Sequence, residues 1–140
     1  MKIQLAKSDE EIQQCFSVMS ELRPHLEKEM FLFQIRRQEQ QGFSLVFAEE
    51  NDVVVAVAGF RLMENLAYGK FVFVDDLITS EKERSKGYGD ALLDWIFQFA
   101  RKNNCTSIQL DSGVQRFDAH RFYLRKQMNI SCHHFSLNLK

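Results

Sequence analysis

Apolar and polar residues recur along this chain with two periods, and the switches between them mark its elements. Ile3 to Ala6 reads as a short strand. Ser8-x-x-Glu11 is a capping box, opening a helix with Ile12, Cys15, Phe16 and Met19 on one face. Arg23-Pro24 ends that helix or starts a turn, because the residue before proline is pushed out of helical geometry. A second helix is predicted from about Glu27 to Gln40, burying Phe31, Leu32 and Ile35 and closed by Gly42. Phe43 to Glu49 and Val53 to Met63 form a hairpin around Glu50-Asn51-Asp52, and a turn at Asn65 to Gly69 leads into the strand Phe71 to Thr79. A long helix over about residues 87–103 then buries Tyr88, Leu92, Ile96 and Phe99, at spacings of three and four. A strand Ser107 to Leu110, a helix Phe117 to Lys126 and a final strand near Ile130 to Leu139 complete the series. The order β-α-α-β-β-β-α-β-α-β predicts a mixed α/β (α+β) sheet, mostly antiparallel, with one helical crossover and flanking helices.

Length and charge narrow the picture. At 140 residues the chain is expected to be a single domain, 1–140, with a sizeable core. Thirteen phenylalanines point to an aromatic interior. A net charge of −1 argues against a general nucleic-acid binder. One proline and no Ser/Gly/Pro-rich stretch leave no candidate linker. The charged N-terminus is not a signal peptide, and no apolar run approaches membrane-spanning length, so no membrane partner is expected. Three scattered cysteines, Cys15, Cys105 and Cys132, fit reduced, mostly buried thiols in a cytoplasmic protein. His133-His134 face opposite sides of a strand and no other ligand spacing is evident, so no metal is expected.

The most informative stretch is Arg84-Ser85-Lys86-Gly87-Tyr88-Gly89-Asp90, between an apolar strand and a long helix. Glycines there let the backbone approach a ligand, and the free N–H groups of a helix start point at it, which suits an anion such as a diphosphate. A P-loop reading fails, because Gly89 is followed by Asp90-Ala91 rather than Lys-Ser/Thr. A dinucleotide fingerprint fails too, because Leu92 holds the third glycine position and the loop lies past the middle of the chain.

The remaining pattern, Arg84-x-x-Gly87-x-Gly89, resembles the acetyl-coenzyme A signature of the GNAT superfamily of N-acetyltransferases. Downstream, Asp118-Ala119-His120-Arg121-Phe122-Tyr123-Leu124-Arg125 looks like the A-x-x-F-Y segment on the family's last helix, at a suitable distance. From Arg116 onward this run is also similar to the C-terminal helix of aminoalkylphosphonate N-acetyltransferases. The resemblance covers roughly Phe71 to Lys140. It implies that the fourth and fifth strands splay, with coenzyme A in the gap, and that acetyl-CoA is the cosubstrate.

Acetyl transfer to an amine needs a neutral nucleophile held near the carbonyl, a donor for the oxyanion and a proton for the leaving thiolate. The resemblance implies a carbonyl donor among the backbone N–H groups of Leu77, Ile78 and Thr79. It places the diphosphate on the amides of Ser85 to Asp90, with charge from Arg84, Lys86 and Lys82. Tyr123 is the implied acid, since an unperturbed phenol is protonated at neutral pH. Asp75 and Asp76 are the candidate bases. Alternation sends them to opposite faces of the strand, and Asp75, on the Phe73 face, is preferred, acting directly or through water. His120, one turn before Tyr123, could orient a phosphate, the substrate or Tyr123, though packing is the commoner use of such a residue.

Two positions depart from the family pattern. Arg116 stands where an asparagine often contacts the pantetheine arm; Arg116 and Arg121 could serve the cofactor or an anionic substrate group. Gln127-Met128 replaces a usual Gly-Phe. No nucleophile motif surrounds any Cys or Ser, which points to direct attack in a ternary complex. The expected acceptor is a small-molecule or peptide amine, and a homodimer is left open. The rival reading is a non-catalytic acyl-coenzyme A binding module.

Overall fold

A computed structural model describes all residues, 1–140. Its elements are β1 (Lys2–Leu5), α1 (Asp9–Gln14), α2 (Phe16–Leu22), α3 (Lys28–Glu39), β2 (Phe43–Glu50), β3 (Val53–Asn65) and β4 (Gly69–Thr79). A 3₁₀ turn (Glu81–Glu83), α4 (Tyr88–Lys102), β5 (Ser107–Leu110) and α5 (Phe117–Arg125) follow. Met1–Gln109 forms one compact unit and Leu110–Lys140 a second.

The capping box forms as the sequence requires: Ser8 Oγ accepts from the Glu11 N–H at 3.1 Å, and Glu11 returns a carboxylate to the Ser8 N–H at 3.0 Å. The first predicted helix is two. At Cys15 the N–H bonds back to the Ile12 carbonyl, a tighter step than the α-helical one, and this separates α1 from α2. The β2–β3 hairpin turns on Asn51 and Asp52, both at positive φ (52° and 64°), the pair of left-handed residues a two-residue hairpin favours.

The sheet order is β1-β2-β3-β4-β5, with β1 to β4 antiparallel neighbours. The Thr106 N–H donates to the Lys70 carbonyl, so β5 starts beside the start of β4 and, returning through α4, runs parallel to it. Both faces of the central strands are covered. Phe43, Leu45, Phe47, Val57 and Ile78 pack with Ile12, Cys15, Val18, Met19, Phe31 and Ile35 of the α1–α3 layer. On the other face α4 buries Leu92, Leu93, Ile96 and Ala100, and Phe60 meets Phe99 edge-on at 5.0 Å. Tyr88 and Phe99, expected in the core, are half-buried instead. Covering both faces explains why β3 reads as a nearly unbroken apolar run.

The expected last strand is absent. Residues 130–140 form no strand, and Ile130, Phe135, Leu137 and Leu139 are 77–91% exposed. An alternating pattern becomes a strand only where its backbone joins a hydrogen-bond ladder, and this segment belongs to no ladder of the sheet. The thiols also differ from expectation: Cys15 is buried and Cys105 half-buried, but Cys132 is exposed. No helix is long and apolar enough to cross a membrane.

Candidate active site

The site is built around an irregularity in β4. Gly59 pairs with Asp76, and the next residue, Phe60, pairs with Val74, which leaves Asp75 as an extra residue in β4. This β-bulge resets the alternation. Phe43, Gly59 and Arg61 lie on the α1–α3 face by register, as does Asp76 opposite Gly59. Asp75 reaches Arg61 on that same face. The two carboxylates therefore line one cavity, rather than the opposite faces that strict alternation predicts.

Their partners divide them. Asp75 gives both oxygens to Arg61, at 2.8 Å from Nε and 2.7 Å from a terminal nitrogen, and the guanidinium stacks over the Phe73 ring at 5.2 Å. Asp76 gives only Oδ1, to Arg23 Nε at 3.0 Å, while Arg23 also donates to the Asp75 carbonyl at 3.0 Å. Asp76 Oδ2 has no hydrogen-bond partner. It fits because Gly59 has no side chain: a Cβ there would lie 2.6 Å from Oδ2 and closer still to the Phe43 ring. Burial raises the Asp76 pKa above the usual carboxylate value; the Arg23 hydrogen bond and charge oppose this without cancelling it. The cavity measures about 370 Å³ and is walled by Met19, Phe31, Ile35 and Phe43, with Gln34, Gln38 and His25 at its polar side.

The same strand aims backbone donors elsewhere. Ser80 donates its N–H to the Val55 carbonyl of β3. Alternation then turns the Ile78 N–H toward β3 and the Leu77 and Thr79 N–H groups toward the β5 side. β5 begins level with Lys70 and is only four residues long, so those two groups lie beyond its end. Of the three predicted carbonyl donors, Leu77 and Thr79 have the free orientation and Ile78 does not.

Thr79 runs through the 3₁₀ turn into the glycine loop. Gly87, at φ +86°, is the N-cap of α4, a left-handed position that favours glycine. No side chain caps this helix, and the first intrahelical bond runs from Ala91 to Gly87. The N–H groups of Tyr88, Gly89 and Asp90 thus lie outside the helical ladder, as an anion cradle requires. A Cβ on Gly89 would be 3.1 Å from Thr79 Oγ1, so glycine lets α4 start close against β4. The side chains contribute less. Lys86 pairs with Glu83 at 2.6 Å, whereas exposed Arg84 has no ion-pair partner and Ser85 bends the loop at φ +68°. Glu21 of α2 ties the loop entry down, accepting from the Glu81 N–H at 2.8 Å and Ser80 Oγ at 3.1 Å.

In the second unit, α5 starts at Arg116 and carries half-buried Tyr123. Burial raises the Tyr123 pKa, partly offset by the charge of Arg116, so the phenol keeps its proton well past neutrality. Arg116 is exposed; Arg121 pairs with Asp118 at 2.9 Å. His120 Nε2 donates to the Gly113 carbonyl at 2.7 Å, fastening the loop before α5 rather than facing a ligand. His134 pairs with Asp111. Cys15, whose thiol burial pushes up to about 12, is no thiolate nucleophile. Arg23, Gly59 and Arg61 were not singled out from the sequence. Only Gly59 carried a signal there, as a glycine inside an apolar strand, which marks a bulge or a close approach.

A mixed sheet whose bulged fourth strand leads into a glycine-bearing loop with free helix-start amides frames the comparison with known proteins. Residues 8–128 match the acetyltransferase (GNAT) family, and the chain belongs to that family, which uses acetyl-CoA. It is 38% identical over 120 residues to an uncharacterised N-acetyltransferase, YhdJ, of Bacillus subtilis (strain 168), covering 85% of this chain and 84% of that one. It is 29% identical over 80 residues to an aminoalkylphosphonate N-acetyltransferase of Salmonella typhimurium, 56% of this chain and 52% of that enzyme. Its fold superposes on AAC(6')-Iy in complex with the bisubstrate analog CoA-S-monomethyl-acetylneamine with a TM-score of 0.87, at 10% identity over 99% of this chain and 97% of that one.

Proposed function

We propose that this protein is an acetyl-CoA-dependent N-acetyltransferase that acetylates a primary amine by direct attack within a ternary complex. The observation that carries the reading is Asp76: a carboxylate in the lining of a cavity, with one oxygen held by Arg23 and the other without a hydrogen-bond partner, on the strand that continues into the α4 amide cradle.

The amides of Tyr88, Gly89 and Asp90 hold the diphosphate, with Arg84 as the nearest uncommitted cation of the loop. Arg116 is available to an anionic group of either substrate. When bound, acetyl-CoA supplies an acetyl group as a thioester. The Leu77 or Thr79 N–H donates to the thioester carbonyl and stabilises the charge that develops there. Asp76 Oδ2 receives the ammonium end of the acceptor and takes its proton, directly or through water; a carboxyl with a raised pKa is the better base. As the N–C bond forms and the C–S bond breaks, the Tyr123 hydroxyl gives its proton to the departing sulfur, and the second proton shed by the acylated nitrogen passes through water to restore the phenol. Asp75 is the weaker candidate for base, because Arg61 engages both of its oxygens; its role is to hold the bulge. Three cysteines that form no disulfide suit a reducing, cytoplasmic setting.

The test is free-thiol release from acetyl-CoA across a panel of primary amines, with both concentrations varied. Intersecting initial-rate lines and a large loss of turnover in Asp76→Asn are expected. Parallel lines with an isolable acetyl-enzyme, or an Asp76→Asn variant at full rate, would sink the mechanism.

A further inference from the structure

We infer that the cavity beside Asp76 is an acceptor site for a small monocationic primary amine with an apolar body, and that it discriminates against amines carrying a second, anionic group. The inference rests on the proposal that the acceptor's amine end meets Asp76, and it adds what lies beyond that end.

Size sets the first limit. A volume of about 370 Å³ is near the lower end of small-molecule sites, which suits a compact amine rather than a folded protein surface. Wall chemistry sets the second. Met19, Phe31, Ile35 and Phe43 give the cavity an apolar body, and all four are at most 4% exposed. Gln34 and Gln38, one turn apart on α3 and bonded to each other at 3.0 Å, offer neutral amides. These can meet a hydroxyl, a carbonyl or nothing at all.

Charge sets the third limit and decides the class. Two carboxylates line the cavity, and only one guanidinium does, that of Arg23. Arg23 is already committed, with Nε on Asp76 and a terminal nitrogen on the Asp75 carbonyl. Arg61, the partner of Asp75, is not in the lining. An ammonium group entering this space finds an open carboxylate oxygen. A phosphonate or carboxylate on the same molecule would be desolvated beside two like charges, facing a cation that has already spent its best donors. Such juxtapositions are strongly disfavoured.

Isothermal titration of the coenzyme A-loaded protein with four probes tests this: n-butylamine, 2-phenylethylamine, 2-aminoethylphosphonate and β-alanine. The two apolar amines should bind at least about tenfold more tightly than the two anionic ones. In Asp76→Asn the 2-phenylethylamine affinity should fall about tenfold or more, with the fold checked by circular dichroism. Equal or tighter binding of 2-aminoethylphosphonate, or unchanged 2-phenylethylamine binding to Asp76→Asn, overturns the assignment. Turnover with the same probes separates the two readings. Binding of 2-phenylethylamine without acetyl transfer defeats the proposed reaction but not the site. Transfer to 2-aminoethylphosphonate as readily as to 2-phenylethylamine defeats the site but not the reaction.

Discussion

Adding one methyl group at Gly59 should disable this protein in a way its surroundings specify. In Gly59→Ala the new Cβ would sit 2.6 Å from Asp76 Oδ2, and closer than that to the Phe43 ring. Ordinary contact begins near 3.4 Å, so each neighbour must retreat by most of an ångström. Neither is free to. Phe43 is 4% exposed and packed among the α1–α3 residues. Asp76 is held through Oδ1 by Arg23 at 3.0 Å, and a swing of that size takes the bond past hydrogen-bonding distance. Backbone strain plays no part, because Gly59 is ordinary strand with φ outside the left-handed region.

Overpacking of this kind costs roughly 1–3 kcal/mol. The weakened Arg23–Asp76 bond adds less than a fully buried pair would, because the Arg23 side chain is 42% exposed. A total of about 2–3 kcal/mol would lower Tm by roughly 6–12 °C in a chain of this size. Turnover should fall further than stability, since the same displacement moves the proposed base. Differential scanning calorimetry and thiol-release kinetics measure the two effects. Gly59→Ala/Phe43→Leu, which relieves the ring clash but not the Asp76 clash, should recover Tm and leave kcat low. A single variant with wild-type Tm and wild-type kcat would refute the packing argument; recovery of kcat in the double variant would refute the claim on Asp76.

Further outcomes follow from the same geometry. Asp76→Asn should cut kcat roughly 10²–10⁴-fold; because the Asp76 pKa is raised, wild-type activity should be lost as pH falls through a value above the usual carboxylate range, and Arg23→Ala, by removing a lowering influence, should move that acid limb higher still in a pH–rate profile. The sign for stability is the reverse: a carboxyl whose folded pKa is raised stabilises below its unfolded value and loses that contribution as pH rises through the folded one, so Asp76→Asn should gain Tm relative to wild type on going from acid to neutral pH. Tyr123→Phe should lower kcat most for the step that expels the thiolate and abolish an alkaline limb lying above the ordinary tyrosine range, read by comparing the two pH profiles. Gly87→Ala meets no atom within 4 Å but is forced to φ +86°, so it should cost about 1–2 kcal/mol of stability by conformation alone and raise KM for acetyl-CoA, as denaturant melts and kinetics would show.

The sequence made the scaffold legible wherever local chemistry decides structure. The capping box at Ser8, the turn at Asn51-Asp52, the glycine N-cap at Gly87 and the 3.6-residue period of α4 each specify their own geometry. The amide cradle was readable for that reason. What could not be read depends on register across strands. Period-two alternation separates Asp75 from Asp76, and only pairing with β3 reveals the extra residue that brings them together. Arg23 and Arg61 lie 53 and 14 residues from the aspartates they hold, separations at which no spacing rule operates. The tail at 130–139 erred the other way: its alternation is real, but alternation describes a side chain's suitability for a sheet and does not itself supply the ladder hydrogen bonds that make a strand.

The long-range contacts show why the proposed acceptor cavity and the proposed donor loop should not behave independently. The C-terminal end of α2 grips β4 twice. Arg23 holds the bulge through the Asp76 carboxylate and the Asp75 carbonyl, and Glu21, two residues earlier, holds the loop entry through the Ser80 hydroxyl and the Glu81 N–H. The proposed base is held by the first grip, and the Leu77 and Thr79 amides lie between the two. A displacement at either grip must therefore be taken up by a short, ladder-bonded strand segment or passed on to the other. The Asp76 carboxylate, the Leu77 and Thr79 amides and the entry to the glycine loop are parts of one strut, and their relative positions are fixed from the C-terminal end of α2.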